Sequence, residues 1–316
     1  MRGLLLAVAL ALACGAAPLA AAEASREELR LPAPGVSESP LRVRVWLPPD
    51  YAATQARYEV LYVNDGQDME AVDLAATLRR LDAAHAVRRI LVVAIDMPPD
   101  RMAGYGFFDR AAGAARVAPT RYGPVGANAA AYADWLARTL VPAIDARYRT
   151  VPDAGGRTLL GWSLGAASAF ATGWQYPEVF GRVGAFSPSF WLAGDPARPG
   201  DTRLAHALVE QVRPAPPPRL FLAAGTAEEA GDRDRDGSID VVDDLQELAL
   251  GWRDGAGRAH PGLRQRGYAV NPDGARTPTS DAATVYLLEG GRHAQESWAR
   301  MLPAFLRWAY GRDQVH

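Results

Sequence analysis

The sequence predicts an α/β fold: a mostly parallel central sheet with helices on both of its faces. Three observations lead there. Strand-like and helix-like patterns alternate along the chain, as expected of strands joined by helical crossovers. Ile90 to Ile95 is an almost pure Ile/Leu/Val run, which suits a central strand covered on both sides. A sharp Gly-rich turn at 161–165 then separates a short apolar strand from a helix.

The elements follow in order. Leu41 to Leu47 alternates strictly and stops at Pro48-Pro49, so it reads as an antiparallel strand near a sheet edge. Tyr58 to Val63 is a second strand, ending in Asn64-Asp-Gly-Gln67. Ala129 to Arg147 places Trp135, Leu136, Leu140 and Ile144 at helical spacing and predicts one long helix. After the strand at Thr158–Leu160, the segment from Leu164 to Tyr176 is helical. Val183 to Phe186, Leu220 to Ala224 and Val285 to Leu288 are further strands, and Trp298 to Tyr310 is a closing amphipathic helix. Gly255 to Asp281 is polar and rich in Gly and Pro, and reads as an irregular excursion.

A chain of 316 residues, 49% hydrophobic and 22% charged, can bury a substantial core. The net charge of -2 gives no pull towards nucleic acid or an anionic membrane. Every basic residue is Arg, so Schiff-base and Ser–Lys chemistry is excluded. Arg2, the apolar run Leu4–Ala13 and the small residues Ala20–Ala22 predict an export signal over residues 1–22. That leaves one domain over 23–316, periplasmic or secreted. The only cysteine, Cys14, lies in the leader, where Ala11-Leu-Ala-Cys14 offers a lipoprotein cleavage box as the competing reading. No other apolar run approaches transmembrane length, so stable membrane insertion is not expected. Oligomeric state is not readable.

Gly161-Trp-Ser-Leu-Gly165 lies between the predicted strand and helix. In that context Ser163 is the expected nucleophile on a strained turn, with small residues two positions either side letting strand and helix approach. The N–H of Leu164, at the helix start, would face the developing negative charge. A serine hydroxyl needs a base. Of five histidines, His85, His206 and His260 read as surface residues and His316 ends the chain. His293 follows the last strand through Glu289-Gly-Gly-Arg292 and is the expected base. The acid should follow the strand before, which makes Glu228 the choice and Glu229 and Asp232 its rivals; a Ser–His dyad is the alternative. Tyr105, Trp162, Phe190 and Trp191 offer an acyl or aryl pocket, with core packing as the safer reading for each.

Trp46-Leu-Pro-Pro-Asp-Tyr51, Asn64-Asp-Gly-Gln67, Gly161-Trp-Ser-Leu-Gly165, Ser187-Pro-Ser-Phe-Trp191 and Gly291-Arg-His293 together resemble the Putative esterase family. It holds enterochelin, feruloyl and acetylxylan esterases, S-formylglutathione hydrolases and mycolyltransferases of the antigen 85 type. The resemblance covers residues 30–312 and implies the α/β-hydrolase fold, with Gln67 supplying a second oxyanion N–H. Ala166 and the acid Glu228 depart from its usual Gly and Asp.

A second signal is independent. Asp232, Asp234, Asp236, Ser238, Asp240 and Asp243 fall at positions 1, 3, 5, 7, 9 and 12 of a calcium-loop spacing, with Gly237 at the tight turn. Position 12 is Asp rather than Glu and no helix precedes the loop, so it is not a full EF-hand; a solvated acidic loop is the alternative. A structural calcium there would order the segment that carries Glu228, four residues before Asp232.

The expectation is therefore an exported serine esterase acting on a small-molecule ester through an acyl-enzyme, with no cofactor in catalysis. An acyltransferase on the same residues and an inactive binding protein on the same scaffold are the alternatives. The ester itself is not legible.

Overall fold

Side chains alternate across each central strand, and here that alternation divides the interior into two cores. In β3 (Glu59–Val63), Val60 and Tyr62 face one side while Leu61 and Val63 face the other. In β4 (Ile90–Ile95), Leu91, Val93 and Ile95 oppose Val92 and Ala94 in the same way. Strands apolar on both faces must be covered on both, and the helices do this. These features belong to a computed structural model that describes residues 25–276 and 282–312. The predicted export signal with Cys14, His316 and the end of the Gly- and Pro-rich excursion lie outside the described residues.

The remaining strands are β1 (Arg26–Leu31), β2 (Leu41–Trp46), β5 (Arg157–Trp162), β6 (Arg182–Phe186), β7 (Arg219–Gly225), β8 (Val270–Asn271) and β9 (Ala283–Leu288). They form one nine-stranded sheet in the order β1-β2-β4-β3-β5-β6-β7-β9-β8. β1 pairs antiparallel with β2 and β2 with β4; the rest pair in parallel. The α/β expectation is met, and β2 lies next to the edge as its alternation predicts.

The longer helices are α1 (Leu74–Ala83), α2 (Ala129–Trp135), α3 (Val141–Arg147), α4 (Leu164–Gln175), α5 (Leu204–Gln211), α6 (Asp240–Leu250) and α7 (Gln295–Tyr310). α1 and α7 cover one face, and α2 to α6 the other. The predicted helix at 129–147 is interrupted by a π-helical turn at Leu136–Leu140. Pro142 follows that turn, and its ring and missing N–H are incompatible with regular α-helix bonding there. Among the described residues no helix is long and apolar enough to cross a membrane.

Two expectations need correction. β1 was not legible, because four of the six residues of Arg26-Glu-Glu-Leu-Arg-Leu31 are charged; the charges suit an exposed edge, where Glu28 pairs with Arg42 of β2 at 2.8 Å. His206, read as a surface residue, is buried in α5 with its ring edge-on to Trp252. Burial, then the charges of Arg203 and Arg233, hold its pKa well below the usual histidine range, so it is neutral.

Candidate active site

Ser163, Ser187, Glu228, His293 and the Asn64–Gln67 loop each sit beyond the carboxyl end of a parallel strand, where open α/β sheets place their ligands. Ser163 follows β5 with φ 56 and ψ -127, a strained backbone for a serine. The flanking glycines explain how the chain tolerates the turn. A Cβ on Gly161 would overlap the main chain at Gly165, and one on Gly165 would overlap the Asp65 carboxylate. The serine N–H is anchored on the Phe186 carbonyl at 2.9 Å, and its side chain makes no capping bond to α4. The hydroxyl is therefore left to the site.

His293 and Glu228 are brought together by contact between two loops, one after β7 and one after β9. Gly225 and Gly291 meet so closely that a Cβ on either would collide with the other's main chain. Ala227 N–H donates to the Gly291 carbonyl at 2.9 Å, and Gly290 N–H to the Thr226 hydroxyl at 2.9 Å. With the loops clamped, His293 Nε2 lies 3.0 Å from Ser163 Oγ and its Nδ1 lies 2.9 Å from Glu228 Oε2. The imidazole is half exposed, whereas the Glu228 side chain is only 2% exposed. Glu229 instead accepts the Val241 N–H at 2.9 Å, and Asp232 accepts N–H groups of its own loop. Of the three acids weighed from the sequence, Glu228 is the one at the imidazole.

A carboxylate buried this deeply needs donors for its lone pairs. Glu228 Oε1 accepts from the Gly225 N–H and the Ser187 hydroxyl, both at 2.6 Å. Ser187 Oγ in turn accepts from Trp298 Nε1 at 2.8 Å, which leaves the hydroxyl hydrogen free to point at the carboxylate. The Trp298 ring stacks on Trp162 at 5.5 Å and meets the edge of His293 at 5.5 Å. Sequence reasoning assigned no role to Ser187 or Trp298; Ser187 lay within a quoted motif, but nothing local reveals its partner. Removing one charge-assisted bond costs about 1.5–3 kcal/mol. Ser187→Ala is therefore expected to lower kcat for ester hydrolysis roughly 10-fold or more with KM little changed. An unchanged kcat would mean that Gly225 N–H alone holds Glu228.

The Asn64–Gln67 loop after β3 packs against the elbow. Asn64 Nδ2 donates to the Gly165 carbonyl at 2.9 Å, and Tyr132 donates to Asn64 Oδ1 at 2.7 Å. Asp65, at φ 55, is gripped by Nε and Nη2 of Arg101, each at 2.8 Å. Gln67 lies inside the short 3-10 turn Gly66–Asp68 and Leu164 begins α4, so neither N–H has a partner within its own helix. The Gln67 side chain accepts the Met97 N–H at 3.1 Å. Tyr105, Trp162 and Phe190 are core residues, but Trp191 is 44% exposed, against the core-packing expectation for it.

Away from this site, Asp232, Asp234 and Asp236 cluster with carboxylate oxygens within 4.8 Å of one another. Asp243 stands in the first turn of α6, where burial and then the charges of Asp236 and Asp234 push its pKa up to about 6. Asp240, expected among the ligands, is turned aside: its Oδ1 accepts the Arg233 N–H at 2.8 Å. A second donor group, His206 with Asp244 and Glu247, is already neutralised, since Arg203 bridges both carboxylates.

Residues 36–261 match the family described as Putative esterase. The chain is 20% identical over 275 residues to "Uncharacterized protein YbbA" of Bacillus subtilis, covering 86% of this chain and 94% of that one. Among solved structures it is similar to an IroE-like serine hydrolase from Shewanella oneidensis, at 19% identity and TM-score 0.60, over 90% of this chain and 79% of that one. A ferulic acid esterase aligns at 15% identity and TM-score 0.58, over 90% and 96%. The enterobactin esterase FES of Shigella flexneri aligns at 16% identity and TM-score 0.60, over 90% and 60%. At such identities the structural likeness speaks for the fold, and the match over most of the chain speaks for the family. The chain belongs to the Putative esterase family and has its α/β-hydrolase fold.

Proposed function

We propose that this protein is a serine esterase that cleaves carboxylic esters of small molecules through an acyl-enzyme. The family is described as one of esterases, and that description supports hydrolysis of an ester bond. The finer reading rests on one observation: Ser163 Oγ, His293 and Glu228 form a continuous hydrogen-bonded line. His293 Nε2 takes the Ser163 proton as Oγ attacks the ester carbonyl. The resulting oxyanion is held by the Gln67 and Leu164 N–H groups. The protonated imidazole then gives its proton to the departing alkoxide, which leaves as an alcohol. A water repeats the sequence on the acyl-serine, releasing the acid and restoring the hydroxyl. Glu228, fixed by two donors on its far oxygen, keeps Nδ1 protonated and stabilises the imidazolium. The apolar leader at 4–13 supports export of the protein as part of this reading.

A fluorophosphonate probe tests the nucleophile directly, because it reacts only with an activated hydroxyl. Stoichiometric label on Ser163 is expected. A folded, unlabelled protein would leave the inactive-scaffold alternative. With an added acceptor alcohol, the free acid should remain the main product; dominant transfer to the alcohol would make the protein an acyltransferase.

A further inference from the structure

The acidic loop between β7 and α6 is folded by hydrogen bonds from its own main chain to its own carboxylates. Asp232 accepts the N–H groups of Asp236 and Gly237 at 3.2 and 3.1 Å, and Asp236 that of Ser238 at 2.8 Å. These bonds wrap the main chain into a tight coil, with Gly237 at φ 97. They also leave three carboxylates with oxygens no more than 4.8 Å apart. Like charges this close repel strongly in the absence of a counter-charge.

Asp243 supplies the second, independent observation. It comes from the helix that follows the loop, is 6% exposed, and has an oxygen, Oδ2, buried without any hydrogen-bond partner. Of the charges that act on it those of Asp236 and Asp234 are the strongest, which puts it near the cluster, and it occupies the twelfth position of the loop spacing. A buried carboxylate oxygen with no donor is costly, and a carboxylate set near three others is more so. Elsewhere the chain solves the same problem with arginine: Arg203 and Arg233 neutralise Asp244. Among the described residues no arginine pairs with Asp232, Asp234, Asp236 or Asp243, and Arg233 is turned to Asp240 and Asp244.

We infer that this loop binds one calcium ion through the carboxylates of Asp232, Asp234, Asp236 and Asp243 and the main-chain carbonyl of Ser238. The donors are all hard oxygens, which select calcium or magnesium over transition metals. Two ligands of one calcium at about 2.4 Å can stand at most about 4.8 Å apart, and the oxygens of Asp232, Asp234 and Asp236 meet that limit; Asp243, outside that group, would close on the ion from the first turn of α6. Magnesium demands a near-ideal octahedron and gives up its waters reluctantly, whereas a loop of this kind adapts to calcium. Asp240 is not a ligand. It closes the base of the loop through Arg233, while Asp240 N–H bonds the Gly231 carbonyl at 2.8 Å and Val241 N–H bonds Glu229. The ion would therefore stiffen a loop whose base adjoins Glu228.

Calcium chloride titrated calorimetrically into the EDTA-treated full chain should reveal one saturable site, with Kd between about 10⁻⁵ and 10⁻³ M. At a hundredfold excess over Kd the melting temperature should rise by roughly 5 °C. Magnesium should bind more weakly. The exposed pair Asp234→Asn with Asp236→Asn should lower calcium affinity at least 10-fold and remove the thermal shift, with the circular dichroism unchanged. Asp243→Asn, which removes the buried charge, should lose binding and keep its metal-free melting temperature. Glu70→Gln, an exposed acid elsewhere, should change nothing. Absence of saturable binding up to about 10 mM calcium, or binding that survives in the double variant, would overturn the site. None of these readouts depends on ester hydrolysis.

Discussion

Ser163→Ala is expected to lower ester turnover by about three orders of magnitude or more, with folding intact. The hydroxyl is the atom that attacks, and nothing else in the site replaces it: the chain has no lysine and no cysteine beyond Cys14. Folding should survive because the Ser163 side chain caps no helix and, among the described residues, its hydroxyl bonds only His293. Alanine has the same Cβ as serine and adds no strain at φ 56. The measurement is kcat/KM on a chromogenic ester, alongside thermal melting and far-ultraviolet dichroism. Wild-type turnover in a folded Ser163→Ala protein would remove the proposed mechanism altogether.

Glu228→Gln is expected to lower kcat by roughly 10²–10⁴-fold while leaving KM little changed. The size of the effect follows from how the carboxylate is held. Oε1 faces two donors, Gly225 N–H and the Ser187 hydroxyl, so the glutamine carbonyl oxygen must take that place. Its NH2 group is then forced towards His293 Nδ1, where Oε2 now accepts. A donor facing Nδ1 favours the tautomer protonated on Nε2, and that nitrogen can no longer take the serine proton. Glu229 cannot substitute, because it is engaged by the Val241 N–H. Near-normal kcat in Glu228→Gln would support the Ser–His dyad instead.

Much of the molecule was readable from local pattern because the causes are local. The interior strands announce themselves through runs such as Ile90–Ile95, since a strand covered on both faces must be apolar at every position. Ser163 stands out because the turn imposes small residues at fixed offsets, and His293 because Gly290-Gly291 precede it just after the last long strand. Edge elements were harder. β1 is charged at four of its six positions, three of them consecutive, and β8 is two residues long, so neither has a periodicity to detect.

What the sequence by itself determined about this protein is its layered α/β architecture, its nucleophile and base candidates, and the spacing of an acidic loop. Those depend on residues within a turn or two of one another. Only the tertiary structure decided which acid faces the base and what holds it. Glu228 and its neighbour Glu229 are the same residue type one position apart, and the choice between them depends on which way each side chain leaves the loop. Ser187 joins Glu228 across 41 residues of chain and Trp298 joins Ser187 across 111, and nothing in their immediate neighbours records that meeting. The same holds for Asp243, buried in the first turn of α6, and for His206, buried in α5 beside Trp252. Burial and hydrogen-bond partnership belong to the packed chain, because both are set by what the fold brings from elsewhere.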